Sequence, residues 1–197
     1  MRLIGVTGGI ATGKSTVDRM LEQRGAVVVD GDELAREAVR PGEPTLDKVA
    51  ARFGGDVIQA DGTLDRARLG HFVFADPAAR RDLEQITHPR IFELTQERIA
   101  AALAGTAPLV AVDMPLLFEN EREAMFEGVL LVYAPREVQI QRLRERNGLD
   151  ETAALQRLAA QLPIDEKRQR ATWVIDNGGG LDATARAVDR WWDAAVR

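Results

Sequence analysis

Apolar residues along the chain fall into two patterns. Short unbroken runs rich in Val, Ile and Leu occur at Arg2–Thr7, Ala26–Asp30, Leu109–Asp113, Val129–Tyr133 and Thr172–Asp176. Without polar alternation, such runs read as strands buried on both faces. The segments between them carry apolar residues at helical spacing, so the pattern predicts an α/β fold: a parallel five-stranded sheet flanked by helices. Ligands in such sheets bind at the carboxyl ends of the strands. Thr7, Asp30 and Asp113 all fall at such ends.

Two segments exceed what a simple crossover needs. Roughly eighty residues separate the second and third strands. The stretch 32–103 reads as helical throughout, with punctuation at Arg40-Pro41-Gly42, Phe53-Gly54-Gly55, Ala60-Asp61-Gly62 and Asp76-Pro77. It is expected to be a helical lobe inserted into a core made of 1–31, 104–135 and 171–197. A second insertion, 136–170, opens with an amphipathic helix over Arg136–Arg146, whose candidate apolar contacts are Val138, Ile140 and Leu143. It breaks at Asn147-Gly148, continues as a charged helical segment interrupted at Pro163, and is expected to be a mobile lid. The last helix, Leu181–Val196, carries Val188, Trp191 and Trp192, which are expected to pack on the sheet.

Composition narrows the chemistry. The chain has 197 residues, no cysteine and a net charge of -5. Disulfides, thiol catalysis and cysteine metal sites are thereby excluded. The negative balance argues against a general nucleic-acid coat, and no apolar run approaches the length of a membrane span. The N-terminus enters a strand directly, so no targeting segment is expected, and a cytoplasmic location is the expectation that follows.

The strongest chemical signal is Gly8-Gly9-Ile10-Ala11-Thr12-Gly13-Lys14-Ser15, a full match to G-x-x-x-x-G-K-[ST] between a strand and a helix. Its Ser15 is the chain's one serine, and Lys14 is one of three lysines. Glycines allow a tight turn whose N–H groups converge on phosphate oxygens, and the helix N-terminus adds partial positive charge. Nucleotide phosphates are expected against Gly8, Gly9, Ala11, Thr12, Gly13, Lys14, Ser15 and Thr16, with Lys14 reaching the β/γ-phosphates and the Ser15 hydroxyl on Mg²⁺.

Further candidates lie at the strand ends. Asp32 is either a base for an attacking hydroxyl and a partner for Mg²⁺, or the cap of a helix beginning at Glu33. Asp113 is either a second Mg²⁺-organising carboxylate or the cap of the turn at Met114-Pro115. Met114 stands where many ATPases have a glutamate, which favours transfer to an acceptor over hydrolysis. Arg142 and Arg146, four apart, share a helix face that is either a phosphate clamp or a solvated basic surface. His88 lies inside the helical lobe, with a structural or an acceptor-site role.

Taken in order, Thr7-Gly8-Gly9-Ile10, Gly13-Lys14-Ser15-Thr16, Asp30-x-Asp32, Asp61-Gly62-x-Leu64-Asp65-Arg66, His88-Pro89-x-Ile91, Asp113-x-Pro115-Leu116-Leu117-x-Glu119, Gln161 and Val174-Ile175-Asp176-Asn177 resemble the dephospho-CoA kinase family over nearly the whole chain. Members commonly have glycine where this chain has Ala11. The resemblance implies a P-loop fold like that of the nucleoside monophosphate kinases. It also implies ATP and Mg²⁺ as cofactors, and phosphorylation of the ribose 3′-hydroxyl of dephospho-CoA in the last step of coenzyme A synthesis. Its implied roles are Asp32 as base, Arg142 and Arg146 as lid-side phosphate binders, Asn177 near the adenine, and His88 with Asp113 at the acceptor. Two other classes stay open: a kinase of the same architecture with another small acceptor, and a nucleotide-driven switch. The chain has no Asn-Lys-x-Asp motif for reading guanine.

Overall fold

A computed structural model describes residues 1–196. The five expected strands are present within a residue of their sequence limits: β1 (Arg2–Gly8), β2 (Val27–Asp30), β3 (Leu109–Asp113), β4 (Val129–Tyr133) and β5 (Trp173–Asp176). They form one sheet in the order β2-β3-β1-β4-β5. The β1–β3, β1–β4 and β4–β5 pairs are parallel, with Val6 opposite Asp113 and Gly8 opposite Val132. The chain leaves β1 toward one side of the sheet and later returns to build the other side. The crevice at this switch point lies at the carboxyl end of β1.

The chain divides into two compact units, Asp30–Ala100 and the remainder. In the sheet-bearing unit, helix α1 (Lys14–Glu22) follows β1 after the loop 9–13. One core joins Ile4 and Val6 of β1, Val17 and Leu21 of α1, and Leu130 and Val132 of β4. The last helix (Leu181–Ala195) buries Thr184, Val188, Trp191 and Ala195, a stripe at helical spacing. Trp191 packs edge-on against both Trp173 and Trp192 (centroids 5.8 and 6.4 Å), so these indoles serve packing. The final residue of the expected core range, Arg197, lies outside the described residues.

The Asp30–Ala100 unit holds helices α2 (Gly31–Glu37), α3 (Pro44–Phe53), α4 (Arg66–Ala75) and most of α5 (Pro77–Leu103). Pro44 opens α3 at a position where a missing N–H costs nothing. Val39, Leu46, Val49, Phe53, Val57, Leu69 and Ala79 form the core of this unit. Helix α5 runs through Pro89, giving up one backbone hydrogen bond there. The expectation of helix throughout needs one correction. Between α3 and α4 the chain makes an antiparallel bridge, Ile58 to Leu64, around a turn with Gly62 at φ 82°. The Asp61 carboxylate accepts from the Thr63 N–H (2.9 Å) and hydroxyl (2.6 Å), and this local bonding competes with helix. The same bonds hold the Asp61 carboxyl below its usual pKa.

Candidate functional site

The loop between β1 and α1 is built by its own backbone and braced by distant side chains. The Gly9 carbonyl accepts from the Thr12 N–H (3.2 Å) and hydroxyl (2.9 Å), and the Gly13 carbonyl accepts from the Thr16 N–H (2.9 Å). Two residues take left-handed backbone, Ala11 (φ 60°) and Gly13 (φ 85°). At Gly13 a side chain is doubly disfavoured, because an added Cβ would also run into Asn177 Nδ2. Ala11 adopts its conformation without glycine's freedom, at a cost of about 1 kcal/mol. Its carbonyl accepts from Arg142 Nη1 (3.3 Å).

Lys14 opens α1, and its ammonium forms an ion pair with Asp113 at the end of β3. Asp113 is 4% exposed. The β1–β3 register brings them together: Asp113 stands opposite Val6, where β1 turns into the loop. One oxygen of the Asp113 carboxylate, Oδ2, faces Lys14. Ser15 and Thr16 lie in the first turn of α1, with Ser15 exposed.

A cavity of about 550 Å³ opens beside the loop, lined by Gly13, Ser15, Thr16, Arg142, Arg146 and Asn177, among others. Arg142 and Arg146 project from helix α6 (Arg136–Asn147). The Arg142 guanidinium donates to the carbonyls of Ala11, Thr12 (3.2 Å) and Asn177 (2.7 Å). It is therefore not a merely solvated charge, and it ties the loop to the chain leaving β5. The Arg146 side chain is exposed and donates to Asn147 Oδ1 (3.1 Å). Asn177 is buried. Its amide donates to the Thr12 carbonyl (2.6 Å) and its oxygen accepts from the Thr184 hydroxyl (2.7 Å), so both ends of the side chain are engaged.

The remaining candidates belong to the other unit. Asp32 sits two residues beyond β2, exposed, in the first turn of α2. The capping role weighed for it falls to Asp30, whose Oδ1 accepts from the N–H groups of Asp32 (2.8 Å) and Glu33 (3.1 Å). The helix begins at Gly31, two residues before the expected Glu33, because Asp30 is already in the extended conformation a cap requires. The Asp32 carboxylate is left without a capping duty. His88 is exposed on α5, beside Pro89.

Several residues that hold the loop escaped the sequence reading. Gln139 of α6 is buried and donates to the Ile10 carbonyl (2.9 Å). Gln161, which follows helix α7 (Glu151–Ala159), accepts from the Ile10 N–H (2.8 Å). Lys167, on helix α8 (Ile164–Arg170), is fully buried and pairs with Glu119 at 2.7 Å. Of these only Gln161 and Glu119 carried a signal, through the family resemblance. A lone Gln or Lys on a polar helix is indistinguishable from a solvated one until the fold is known. The apolar contacts expected of α6 shift accordingly: Gln139 and Leu143 are buried, while Val138 and Ile140 are half-buried.

Ser15 and Thr16 in the first turn of α1 and Asp113 at the end of β3 bring side-chain oxygens to the loop, the ligand type Mg²⁺ takes. Among the described residues no cluster of three or more His, Cys, Asp or Glu side chains stands ready to hold a metal alone. No described helix is long and apolar enough to cross a membrane.

The dephospho-CoA kinase family model matches residues 2–183. A dephospho-CoA kinase from Anaeromyxobacter dehalogenans is 53% identical over 96% of this chain and 90% of its own length. Among solved structures, TT1252 from Thermus thermophilus superimposes with a TM-score of 0.84 at 38% identity, covering 100% of this chain and 98% of that one. Dephospho-CoA kinase from Campylobacter jejuni gives 0.68 at 26% identity, covering 98% and 96%. With the phosphate loop, its Lys14–Asp113 pair and the sheet order all on one chain, and with the family match running almost end to end, this chain belongs to the dephospho-CoA kinase family.

Proposed function

We propose that the protein transfers the γ-phosphate of ATP to the 3′-hydroxyl of the ribose of dephospho-CoA, giving coenzyme A and ADP in the last step of coenzyme A synthesis. The observation that carries this reading is the braced phosphate loop with Lys14 facing Asp113, in a chain matched to the family over residues 2–183. Loop N–H groups and the N-terminus of α1 supply fixed dipoles for the β- and γ-phosphates, and Lys14 supplies charge where it develops during transfer. Ser15, with Asp32 or Asp113 directly or through water, would hold Mg²⁺, which neutralises charge on the phosphate oxygens. Asp32 accepts the proton of the attacking hydroxyl. Arg142 and Asn177 keep the loop's carbonyls turned outward, and Arg146 at the cavity rim is the free-ended guanidinium for phosphate. His88 and Asp113 contribute to acceptor placement.

Given MgATP, the protein is expected to phosphorylate dephospho-CoA at the 3′ position and to leave AMP, CMP and shikimate essentially untouched. Truncated acceptors should lose kcat as well as affinity, because remote contacts position the hydroxyl in line. Mass spectrometry of the product, with ³¹P NMR for the position, checks this. Faster phosphorylation of a nucleoside monophosphate would point to a different kinase.

Segment 136–170 is proposed to include the lid. Its buried residues, Gln139, Leu143, Ala154, Ile164 and Lys167, are unevenly spread, and α8 is anchored far more firmly than the stretch 148–160. Backbone hydrogen exchange is therefore expected to slow on binding nucleotide and acceptor together over 148–160, with little change in α8. Unchanged exchange in 148–160 under saturating ligands would argue against closure.

A further inference from the structure

Lys167 is a fully buried lysine on the polar helix α8. Its ammonium has three donors and meets three acceptors: Glu119 Oε1 at 2.7 Å, the Gly8 carbonyl at 3.4 Å and the Pro115 carbonyl at 3.4 Å. Glu119 Oε1 also accepts from the Leu162 N–H (3.1 Å), and the Pro115 carbonyl also accepts from the Thr7 hydroxyl (3.3 Å). One side chain thus joins the first glycine of the phosphate loop, the chain just beyond Asp113, and the approach to α8.

Stability alone does not account for this arrangement. Burying an ion pair has a desolvation cost that apolar residues of similar volume avoid, and such replacements are often neutral or stabilising. What apolar residues cannot do is hold a carbonyl in one direction. Beyond the Met114 N–H to Val6 carbonyl bond (2.9 Å), Thr7 and Lys167 link the exits of β1 and β3. The Gly8–Gly9 peptide is trans, so a Gly8 carbonyl aimed at Lys167 sends the Gly9 N–H the opposite way. The next peptides are held similarly from outside, with Gln161 on the Ile10 N–H and Gln139 on the Ile10 carbonyl.

We propose that Lys167 and Glu119 are positioning residues for phosphate transfer. The buried pair fixes the direction of the Gly8–Gly9 peptide and the spacing between the loop and the strand end that presents Asp113 to Lys14. The proposal rests on the phosphate-transfer reading above.

The test compares the parent protein with Lys167→Met and with the double variant Lys167→Met/Glu119→Gln, which removes both charges at nearly constant volume. Turnover with MgATP and dephospho-CoA, MgADP binding by calorimetry and thermal melting are measured for each. The single variant should melt lower, because Glu119 loses its cation. The double variant should recover most of the melting temperature, yet keep a kcat lowered about tenfold and weaker MgADP binding. Its KM for dephospho-CoA should stay within about twofold of the parent. A folded double variant with parental kcat and MgADP affinity would overturn the proposal. Failure of the double variant to fold would also overturn it, assigning the pair to folding alone. Absence of turnover in the parent would instead reject the phosphate-transfer reading.

Discussion

Lys14→Ala is expected to lower kcat by about 10³-fold, equivalent to about 4 kcal/mol of barrier. The ammonium is placed by the first turn of α1 and steered by Asp113, so its charge is already oriented before any phosphate arrives. A preorganised cation in a site poor in water stabilises developing charge far more than one that must reorient. The fold should survive. The Lys14 side chain is 16% exposed and packs at the mouth of the loop, so its removal opens no cavity in the core of Ile4, Val6, Val17 and Leu21. Some loss of stability is expected because Asp113 is nearly buried and loses its cation. Lys14→Met, which keeps most of the stem, separates this packing effect from the loss of charge. Steady-state kinetics with circular-dichroism melts is the measurement, and a kcat within about tenfold of the parent would remove Lys14 from the transfer step.

Asp32→Asn should lower kcat by about 10²-fold or more, the range for loss of a general base, while leaving MgATP affinity close to the parent's. The structure sharpens this contrast. Asp30 caps α2, and the exposed Asp32 carboxylate bears no part of that cap. An amide at position 32 should therefore leave the melting temperature unchanged, whereas Asp30→Ala should cost about 1 kcal/mol. Pre-steady-state measurement of the transfer step, alongside melts of both variants, distinguishes the roles. If Asp32→Asn reacts within a few fold of the parent, roughly 1 kcal/mol of barrier, the base is another group.

The legible parts of this protein were those encoded locally. Five runs of Val, Ile and Leu without alternation mark strands, but only the three central ones, β1, β3 and β4, are buried nearly throughout; the edge strands β2 and β5 leave Val27 and Val174 exposed, because an edge strand has a neighbour on one side alone. The phosphate loop was equally plain, since its glycines, Lys14 and Ser15 act through neighbouring backbone and helix geometry. The family assignment followed from motifs spread along the whole chain, and the match over residues 2–183 agrees with it. Local reading failed where two local codes competed. At Asp30-Gly31-Asp32 either aspartate is a sound cap, and the backbone conformation of Asp30 decided between them. Around Asp61 the Thr63 bonds favoured a turn inside a segment otherwise rich in helix formers.

What only the tertiary structure decided is which polar side chains hold the loop. Lys14 reaches Asp113 across the β1–β3 register, and Arg142 and Asn177 close on the loop's carbonyls from separate elements. Gln139, Gln161 and Lys167 add further bonds to Ile10 and Gly8, and the burial of Gln139 and Lys167 has no mark in their residue type or spacing. Burial of a polar group depends on the partners that satisfy it, and those partners come from distant parts of the chain brought together by sheet register and helix packing. Residue type and spacing specify the strands, the helices and the phosphate loop; the direction of each carbonyl around that loop is set by contacts that exist only in the folded chain.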